Sequence, residues 1–571
     1  MKISTKLQSA FNNYLTFAHL RPFLCRKSEI YLGCCHTFVY FCRVLNTKKE
    51  IMKKFSLIAM LLTASSYALA GGFLTNTNAG ATFGRYFALE GYNSIEGAYY
   101  NPGGIGFLNK GWHIAFNNQT ALQTRTAVST FDSYKYGAKN NGLSTKKYKG
   151  TATAPIVPAI DFAYVGDRWF GSFHFGIIGG GGKCEFDEGL GSFESVVSML
   201  PTAVNMIMPG MIEDNYYDMN SYMRGKQFFM GAQVGVGYKI LPELSLSVGG
   251  RLVYATSNYY GYVNDIKFKT KVPLPINGIP QPAGTEIAAG DLFNTAASLT
   301  GKPQLAALGE MVSNVGVNCD QTGWGFTPII GLSYKKGPLS LGARYEFKTR
   351  LRMKNQSDTK AEQTAILSNL AEFEDGKKIP NDIPALLGFG IGYEFTPKLR
   401  ANVAAHIFFD KQARQYENKQ KLLDKNTWEI LAGIEYDIND QWTVSAGGQT
   451  TNYGLGKDKK YISDLSFTTS SYSLGAGVKF KVSEKVGINL SYFKTLYYAT
   501  RKSQADYNNI GATTEGLIKM ALDSNLITPA QAAGIKANME NAVKTGKINL
   551  SGNDLFDRTN DVIAIGVDIH F

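Results

Sequence analysis

The sequence predicts an all-β fold, a 14-stranded antiparallel transmembrane β-barrel with an N-terminal luminal plug and long outer loops that contain short helices. Runs of alternating apolar residues recur through residues 112–571, and the connections between these runs are alternately short and long. A segment rich in Gly and Asn without this alternation, residues 71–111, precedes the first run. Fourteen strands enclose more lumen than side chains alone fill, so this segment is expected to fold inside as a plug. A disordered periplasmic tail is the alternative.

Residues 1–70 are predicted to be absent from the mature, exported protein. Residues 52–70 have the positive start, short apolar core and Ala-x-Ala site of a secretory signal peptide, so a mature start at Gly71 is expected. A buried helix is the alternative. Residues 1–51 contain four cysteines in no usual metal-ligand spacing. We interpret them as an extension caused by a start placed upstream of the true Met52, with a metal site as the other interpretation.

Removing the leader changes the charge and the cysteine count. The formal charge of +13 falls to about +5, because residues 1–70 carry ten Lys and Arg against two Asp and Glu. The basic character therefore gives no argument for nucleic-acid binding. Only Cys184 and Cys319 remain. An exported chain can oxidise such a pair, so a disulfide is possible, but the sequence does not show that the two meet.

Six hairpins carry the barrel prediction. Each is an alternating run, an aromatic residue, a tight polar turn and a second alternating run, as in "IDFAYVGDRWFGSFHF" and "AGIEYDINDQWTVSAGGQ". Six turns join twelve strands. The segment from Trp112 and the terminal run 561–571 add one strand each. The even count places both ends on the periplasmic side of the outer membrane of a Gram-negative bacterium.

The two faces of each strand differ as a barrel requires. A charge that faces lipid near the bilayer midplane costs roughly 2–4 kcal/mol, so the apolar set must face outward. After the third turn this set is Leu341, Ala343, Tyr345, Phe347 and Leu351, and the inward set is Gly342, Arg344, Glu346, Lys348, Arg350 and Arg352. Aromatic residues recur at the turns, as an interfacial girdle would. The terminal Phe571 is expected as an outward aromatic at the periplasmic rim.

Several motifs, in order along residues 71–571, resemble the FadL/TodX-type outer-membrane transporters of long-chain fatty acids and other hydrophobic compounds. Asn101-Pro102-Gly103 stands where that family carries Asn-Pro-Ala before its first strand, with Gly in place of Ala. "GWGFTPIIGLSY" from Gly323 and "TWEILAGIEYDINDQWTVSAGG" from Thr427 match further along. The C-terminal ending also resembles the signature that the barrel assembly machinery reads, which makes that machinery an expected partner through Phe571.

The resemblance implies a passive mechanism. Outer loops capture a hydrophobic ligand, the ligand passes to a site inside the barrel, and it leaves sideways through a kink in the third strand while the plug gates passage. Here Gly179, Gly180, Gly181 and Gly182 follow the third strand and could form the kink, since Gly permits bends; a plain loop start is the alternative. No cofactor, metal or nucleic acid is implied, and a monomer is expected.

Candidate ligand contacts follow from these roles. Apolar stretches in the outer loops could form an apolar groove that binds the ligand, or they could only pack on one another. A fatty-acid carboxylate inside a barrel needs a cation, although such cations more often pair with acids of the chain itself. The candidates are Phe73 and Leu74 in the plug, Leu292, Phe293, Leu299, Ile366 and Leu367 in the loops, and Arg344, Lys348 and Arg350 as cations, with Arg251, Arg352 and Arg400 as further ones.

No enzyme motif is recognisable in the mature sequence. Its four histidines, at 113, 174, 406 and 570, have no metal-ligand spacing, and no phosphate loop or nucleophile elbow occurs. The prediction is therefore a transporter and not an enzyme. A surface receptor or adhesin that binds haem or a host partner through its long loops is the main alternative, and a general porin is a third.

Overall fold

The structure is a computed structural model that describes residues 73–306, 309, 314–358, 368–523 and 525–571. The expected upstream extension, the signal peptide and the mature start at Gly71 lie outside the described residues. Ile366 and Leu367, two of the predicted ligand contacts, also lie outside them.

Fourteen antiparallel strands form one closed sheet, as the sequence predicts. Each strand pairs with its neighbours in sequence, and the first pairs with the last from His113↔His570 to Phe131↔Gly552, which closes the barrel. The strands are β1 (Gly111–Phe131), β2 (Thr145–Val165), β3 (Trp169–Phe186), β4 (Asp218–Leu241), β5 (Leu244–Lys269), β6 (Asn314–Lys336), β7 (Leu339–Glu346), β8 (Leu386–Thr396), β9 (Leu399–Phe408), β10 (Thr427–Asp437), β11 (Trp442–Asn452), β12 (Ser471–Ser483), β13 (Val486–Tyr497) and β14 (Gly552–His570).

The segment that precedes β1 folds as a plug in the lumen. It contains the helices α1 (Ala81–Tyr86) and α2 (Gly97–Tyr100) and a 3₁₀ helix over Pro102–Phe107. Five of its aromatic side chains are fully buried against inward residues of the strands: Phe83, Tyr86, Phe87, Tyr99 and Tyr100. The plug therefore has an apolar core of its own, shared with the barrel wall.

The connections confirm the predicted alternation of short turns and long loops. The six tight turns lie at one end, and the long loops at the other end contain four helices, α3 (Gly191–Ile207), α4 (Ala289–Thr300), α5 (Ile510–Asp523) and α6 (Pro529–Lys544). Short strands extend the loops at Leu274–Ile276, Ile279–Gln281, Glu286–Ala288, Arg352–Ser357, Lys378–Pro380 and Thr500–Gln504, and 3₁₀ turns lie at Asp132–Tyr136, Ser368–Phe373, Asp410–Gln412, Tyr416–Leu422 and Tyr507–Asn509.

The alternation of faces is confirmed in β9 and in β7 itself. Val403 and Ile407 are exposed outward, while Asn402 and His406 are buried inside. Phe571 is 61% exposed at the rim. Because the outer faces are apolar, the barrel presents a lipid-facing belt. None of the helices in the described residues is long and apolar enough to cross a bilayer.

The prediction is wrong beyond the end of β7. The strand stops at Glu346, and residues 347–351 make only the isolated bridge Thr349↔Ile383 before a short strand begins at Arg352. The alternation shifts by one residue across this break, so Thr349, Leu351 and Met353 are buried. Lys348, Arg350 and Arg352 therefore do not continue the inner face: Lys348 is half-buried, and both arginines are exposed.

Candidate functional site

A buried ion network fastens the middle of the plug to the barrel wall. Arg344 lies 3.5 Å from Glu90 of the plug and 3.1 Å from Glu346, and Arg251 lies 2.7 Å from Glu346. The ring of Tyr99 lies under both guanidinium groups, with centroid distances of 4.9 Å to Arg251 and 5.3 Å to Arg344. All five side chains are buried, so each charge depends on its partners.

His406 extends this network on the other side of Glu90. Its Nε2 lies 2.6 Å from a Glu90 oxygen and its Nδ1 lies 2.9 Å from a Glu429 oxygen. Ionised carboxylates only accept hydrogen bonds, so both ring nitrogens donate and the imidazole bridges plug to wall. Neither the spacing of Glu90 and His406 nor any local motif indicates this contact.

A second network holds the plug nearer the tight turns. Arg85 of α1 pairs with Glu435, and Arg400 donates to the same carboxylate over 2.7 Å. Tyr92 of the plug donates to it over 3.0 Å. The predicted cations Arg344, Arg251 and Arg400 therefore lie inside the lumen, but their charges are already paired with acids of this chain.

The Asn101-Pro102-Gly103 motif has a clear local role. Asn101 caps the 3₁₀ helix by accepting from the Gly104 N–H over 3.2 Å, and Pro102 occupies the first helical position. The Gly103 carbonyl accepts from the Ser245 hydroxyl over 2.5 Å. The motif thus docks the last turn of the plug on β5 and β6.

The glycine run is where β3 loses its regular register. Gly180 and Gly182 have φ values of 101° and 72°, a region that side chains disfavour. Between the pairs Ile177↔Met230 and Gly182↔Gln227, β3 advances five residues and β4 advances three. The two additional residues make the strand bend at this point.

The seam between β2 and β3 is interrupted at the same level. Pairing runs from Val165↔Phe170 to Ile160↔Phe175 and resumes at Thr151↔Glu185, and no pair joins the strands between these points, all of which the structure describes. Two prolines of β2, Pro155 and Pro158, lie in the unpaired stretch. Proline has no N–H to give to a ladder, so these two residues are the signal in the sequence that could have indicated the gap.

The N-terminal end of the plug covers the lumen side of this seam. Thr75 forms a bridge with Gly179, and the Asn76 N–H donates to the Ile178 carbonyl over 2.8 Å. A Cβ at Gly179 would collide with the carbonyl oxygen of Leu74. The plug backbone therefore satisfies part of the β3 edge that β2 leaves open.

Phe73, the first described residue, lies in an aromatic cluster with residues of the loop between β11 and β12. Its ring centroid is 4.9 Å from Tyr453 and 4.4 Å from Tyr461. Its backbone N–H donates to Asp410, which also accepts from the Thr427 N–H over 3.2 Å. Burial raises the pKa of the Asp410 carboxyl to about 7, despite these two hydrogen bonds.

The predicted loop contacts fall into two groups. Leu292 and Phe293 are buried in an outer-loop cluster with residues of α3 and of the segment that contains α5 and α6. Leu299 is 57% exposed. A crevice between α3 and α5 is lined by apolar side chains but has a volume of only about 10 Å³. The loop helices α3 to α6 therefore pack on one another, and of Leu292, Phe293 and Leu299 only Leu299 is exposed.

Cys184 and Cys319 are both buried, and both thiols are free. The disulfide that the sequence left possible is not formed, because the pairs Cys184↔Gly225, Gly225↔Tyr259 and Tyr259↔Cys319 place the two cysteines three strand spacings, about 14 Å, apart. Within the described ranges, no group of three or more His, Cys, Asp and Glu side chains is arranged to hold a metal ion.

Comparison with known proteins agrees with this architecture. Residues 355–514 match the family described as outer membrane protein beta-barrel domain, and no curated protein matches the chain. A FadL homologue from Pseudomonas aeruginosa is 14% identical, with 88% of this chain and 100% of its own covered and a TM-score of 0.50. The toluene transporter TodX of Pseudomonas putida is 12% identical, with 88% and 100% covered and a TM-score of 0.47. The toluene transporter TbuX of Ralstonia pickettii is 12% identical, with 86% and 98% covered and a TM-score of 0.45.

The closed barrel, its apolar belt and the matched domain define this chain as a bacterial outer-membrane β-barrel protein that crosses the membrane many times. Its fold is that of the FadL homologue, which confirms at the level of the fold the resemblance seen in the sequence.

Proposed function

We propose that this barrel passes hydrophobic molecules, long-chain fatty acids foremost, through the outer membrane by diffusion and releases them sideways between β2 and β3. The interrupted seam carries this proposal. A closed barrel wall would have no reason to leave a ladder unpaired, since each unsatisfied backbone group facing lipid costs several kcal/mol. Here the gap coincides with the bend of β3 and with the plug strand that covers it.

The lining of the gap supports an apolar cargo. Ala154 and Val157 of β2, Ile178 of β3 and Phe229 of β4 are buried and belong to one apolar cluster with the plug aromatics. Each methylene of a ligand that leaves water for such a surface gains about 0.8 kcal/mol. The cluster thus forms a continuous apolar lining from the plug to the seam between β2 and β3.

The plug itself argues for a sideways exit. Passage along the barrel axis would have to separate the ion pairs of Glu90 and Glu435 from their arginines, and breaking one buried pair costs about 3–5 kcal/mol. Moving the strand at residues 74–76 breaks a few backbone hydrogen bonds and the side-chain hydrogen bonds that join Asn76 to Ile177 and Tyr99, but it separates no ion pair of the described residues. We assign the gate to this short segment, with Phe73 and Leu74 at the ligand and capture at outer-loop residues such as Leu299.

Assembly and oligomeric state complete the proposal. The exposed Phe571 stands at the end of β14, where its N–H donates to the Trp112 carbonyl over 2.9 Å. We propose that the barrel assembly machinery reads this residue. The first and last strands pair with each other, so neither end of the sheet is a free edge for a second copy, which fits a monomer.

The test is a variant in which the bend is removed. Deleting Gly180 and Gly181 gives β3 and β4 equal numbers of residues between Ile177↔Met230 and Gly182↔Gln227, so the strand can run straight. We expect loss of labelled oleate uptake into cells that lack their own transporter, with fluorescent fatty-acid binding to the purified protein retained. Deletion of Asn277 and Gly278, an exposed hairpin turn, is the matched control. Full uptake by an assembled straight-strand variant would contradict sideways release.

A further inference from the structure

Two lysines lie directly opposite each other on the outer face of the barrel wall. Lys183 of β3 pairs with Lys226 of β4 across the ladder. Lys226 is an even number of residues from Val234 and Val236, which are exposed on the outer face of β4, so both lysines point outward as well. Like charges directly opposite each other on neighbouring strands are destabilising, so this pair costs stability unless an anion lies near it.

The carboxylates of the chain compensate only one of these lysines. Lys183 lies 3.0 Å from Glu185 of its own strand, and Glu185 also accepts from the Tyr222 hydroxyl over 3.1 Å. Lys226 is half-buried, and among the described residues it has no hydrogen bond and no ion pair. The next acid in its row, Asp320, lies two strand spacings away, about 10 Å. Lys226 is therefore a cation without an acid of its own.

Arg224 adds a third cation to the same face. It pairs across the ladder with Glu185 of β3 and with Tyr260 of β5. Its guanidinium donates to the side-chain oxygen of Asn258 over 3.0 Å and lies 5.2 Å from the ring centroid of Tyr260. Around these described rows of β3, β4 and β5, Glu185 is the one carboxylate beside three cations. We refer to Lys183, Arg224 and Lys226 as the outer basic patch.

The aromatic girdles give the height of the outer basic patch in the membrane. Tyr238 belongs to the girdle at the tight turns, and Tyr254, whose ring centroid lies 4.7 Å from that of Trp324, marks the opposite boundary. Leu246 is the partner of Tyr238, so eight residues of β5 separate the two girdles, close to the roughly 9–11 residues with which a tilted strand crosses a bilayer. The β5 partner of Lys226 lies four residues beyond Tyr254. At the usual tilt, the patch therefore lies about 10 Å beyond the outer girdle, in the layer of the lipid head groups.

We propose that the outer basic patch binds the phosphate of a phosphorylated glycolipid in the outer leaflet of the membrane. This inference goes beyond the proposed transport function and does not depend on it. An outward side chain at this height faces the head groups of neighbouring lipids. Phosphate oxygens accept charge-assisted hydrogen bonds from ammonium and guanidinium groups, so a lipid phosphate would supply the anion that the Lys183↔Lys226 pair lacks. The acyl chains of the same lipid would lie against the apolar belt below the patch.

The test compares two forms of one glycolipid, lipid A with its phosphates and the same lipid without them, by native mass spectrometry of the refolded protein in micelles. A basic residue near an anionic lipid surface strengthens binding about fivefold, so we expect wild type to prefer the phosphorylated form at least tenfold or so. Lys226→Gln should weaken its binding about fivefold, and Lys183→Gln with Lys226→Gln about 25-fold, with the dephosphorylated form within about twofold. Lys226→Arg should keep the preference. Lys398→Gln, at an exposed lysine in a tight turn of the opposite rim, is the matched control and should change neither affinity.

A stability measurement without glycolipid separates binding from packing. Lys226→Gln relieves the repulsion from Lys183, so it should unfold at the same temperature as wild type or a higher one. A lower unfolding temperature would show that the chain itself stabilises Lys226 and would overturn the proposal.

The other outcomes decide between the patch, the lipid and the anion. Equal binding of the two glycolipids by wild type overturns the phosphate site. A preference for the phosphorylated form that survives in the double variant, with heat-dependent gel mobility showing a folded barrel, overturns the outer basic patch as its location. Displacement of the lipid by an equal concentration of inorganic phosphate overturns the membrane lipid as the source of the anion. Uptake of labelled oleate by Lys226→Gln reports on transport separately, and its loss or retention leaves these binding results unchanged.

Discussion

Substitution of Glu90 by Gln tests whether the middle of the plug is fixed while its N-terminal end moves. Glu90 is the plug residue that both His406 and Arg344 contact, at 2.6 Å and 3.5 Å. The substitution keeps the shape of the side chain and removes its charge. It leaves a buried imidazolium and a buried guanidinium with one carboxylate fewer, and the remaining acids, Glu346 and Glu429, already have partners of their own.

The expected cost follows from the burial of the network. Removing one partner of a buried ion pair destabilises a protein by about 3–5 kcal/mol, and an amide recovers a little of this by hydrogen bonding, so we expect about 3 kcal/mol. The loss should appear as a smaller free energy of plug opening, because the barrel ladder does not depend on Glu90. By the relation of about 1.4 kcal/mol for each factor of ten, exchange of plug amides should accelerate roughly 100-fold.

Hydrogen exchange followed by mass spectrometry on the protein in micelles measures this directly. Peptides that cover residues 81–107 should exchange faster in Glu90→Gln, and peptides from the strands should not change. Glu394→Gln is the matched control, since Glu394 forms an exposed pair at 3.7 Å with Lys335 and should contribute little. Plug exchange within about threefold of wild type would refute the reasoning. It would mean that the aromatic core, and not the ion network, holds the plug.

Three further predictions concern the N-terminal end of the plug. Gly179→Ala should displace the strand at 74–76 and speed its amide exchange, whereas Gly171→Ala, where a Cβ meets nothing nearer than 3.8 Å, should not; equal behaviour would contradict the close contact. The raised pKa of Asp410 means that the native state holds its proton more tightly than the unfolded chain, so stability should fall as pH rises from about 4 to about 7 and then level off. Asp410→Asn should remove that part of the pH dependence of the unfolding temperature, and an unchanged profile would exclude Asp410 as its source. Deleting residues 71–73 takes the Phe73 ring from its aromatic cluster and should impair uptake without preventing assembly; unchanged uptake in an assembled barrel would count against the plug as gate.

Much of the fold could be predicted because a strand shows its two faces locally. Alternation of period two and tight polar turns are properties of ten or so neighbouring residues, and they indicated the strand number, the closure and the outward faces. The failure after Glu346 has a physical reason. A single break in the ladder reverses the faces of every later residue, and "FKTRLRM" contains no Pro or Gly that would indicate one.

The partners of the charged residues in the lumen were harder to predict, because they are distant in sequence. Arg344 was correctly placed on the inner face, but its partner Glu90 lies in a different part of the chain, in a segment without strand periodicity. The spacing of these residues does not distinguish a cation that binds a ligand from a cation that anchors the plug. Only the packed structure shows that Arg344, Arg251 and Arg400 have acids of their own.

Arg125 and Arg558 show how far the barrel prediction could have been extended. Closure requires the first and last strands to pair antiparallel, and the even strand count places the start of the first strand at Trp112 and the terminal Phe571 at the same rim. Each arginine lies thirteen residues in from its rim aromatic, and the structure pairs the two ends through the Phe571 N–H and the Trp112 carbonyl. Equal steps along two antiparallel strands end opposite each other, so the meeting of two like charges follows from the register alone.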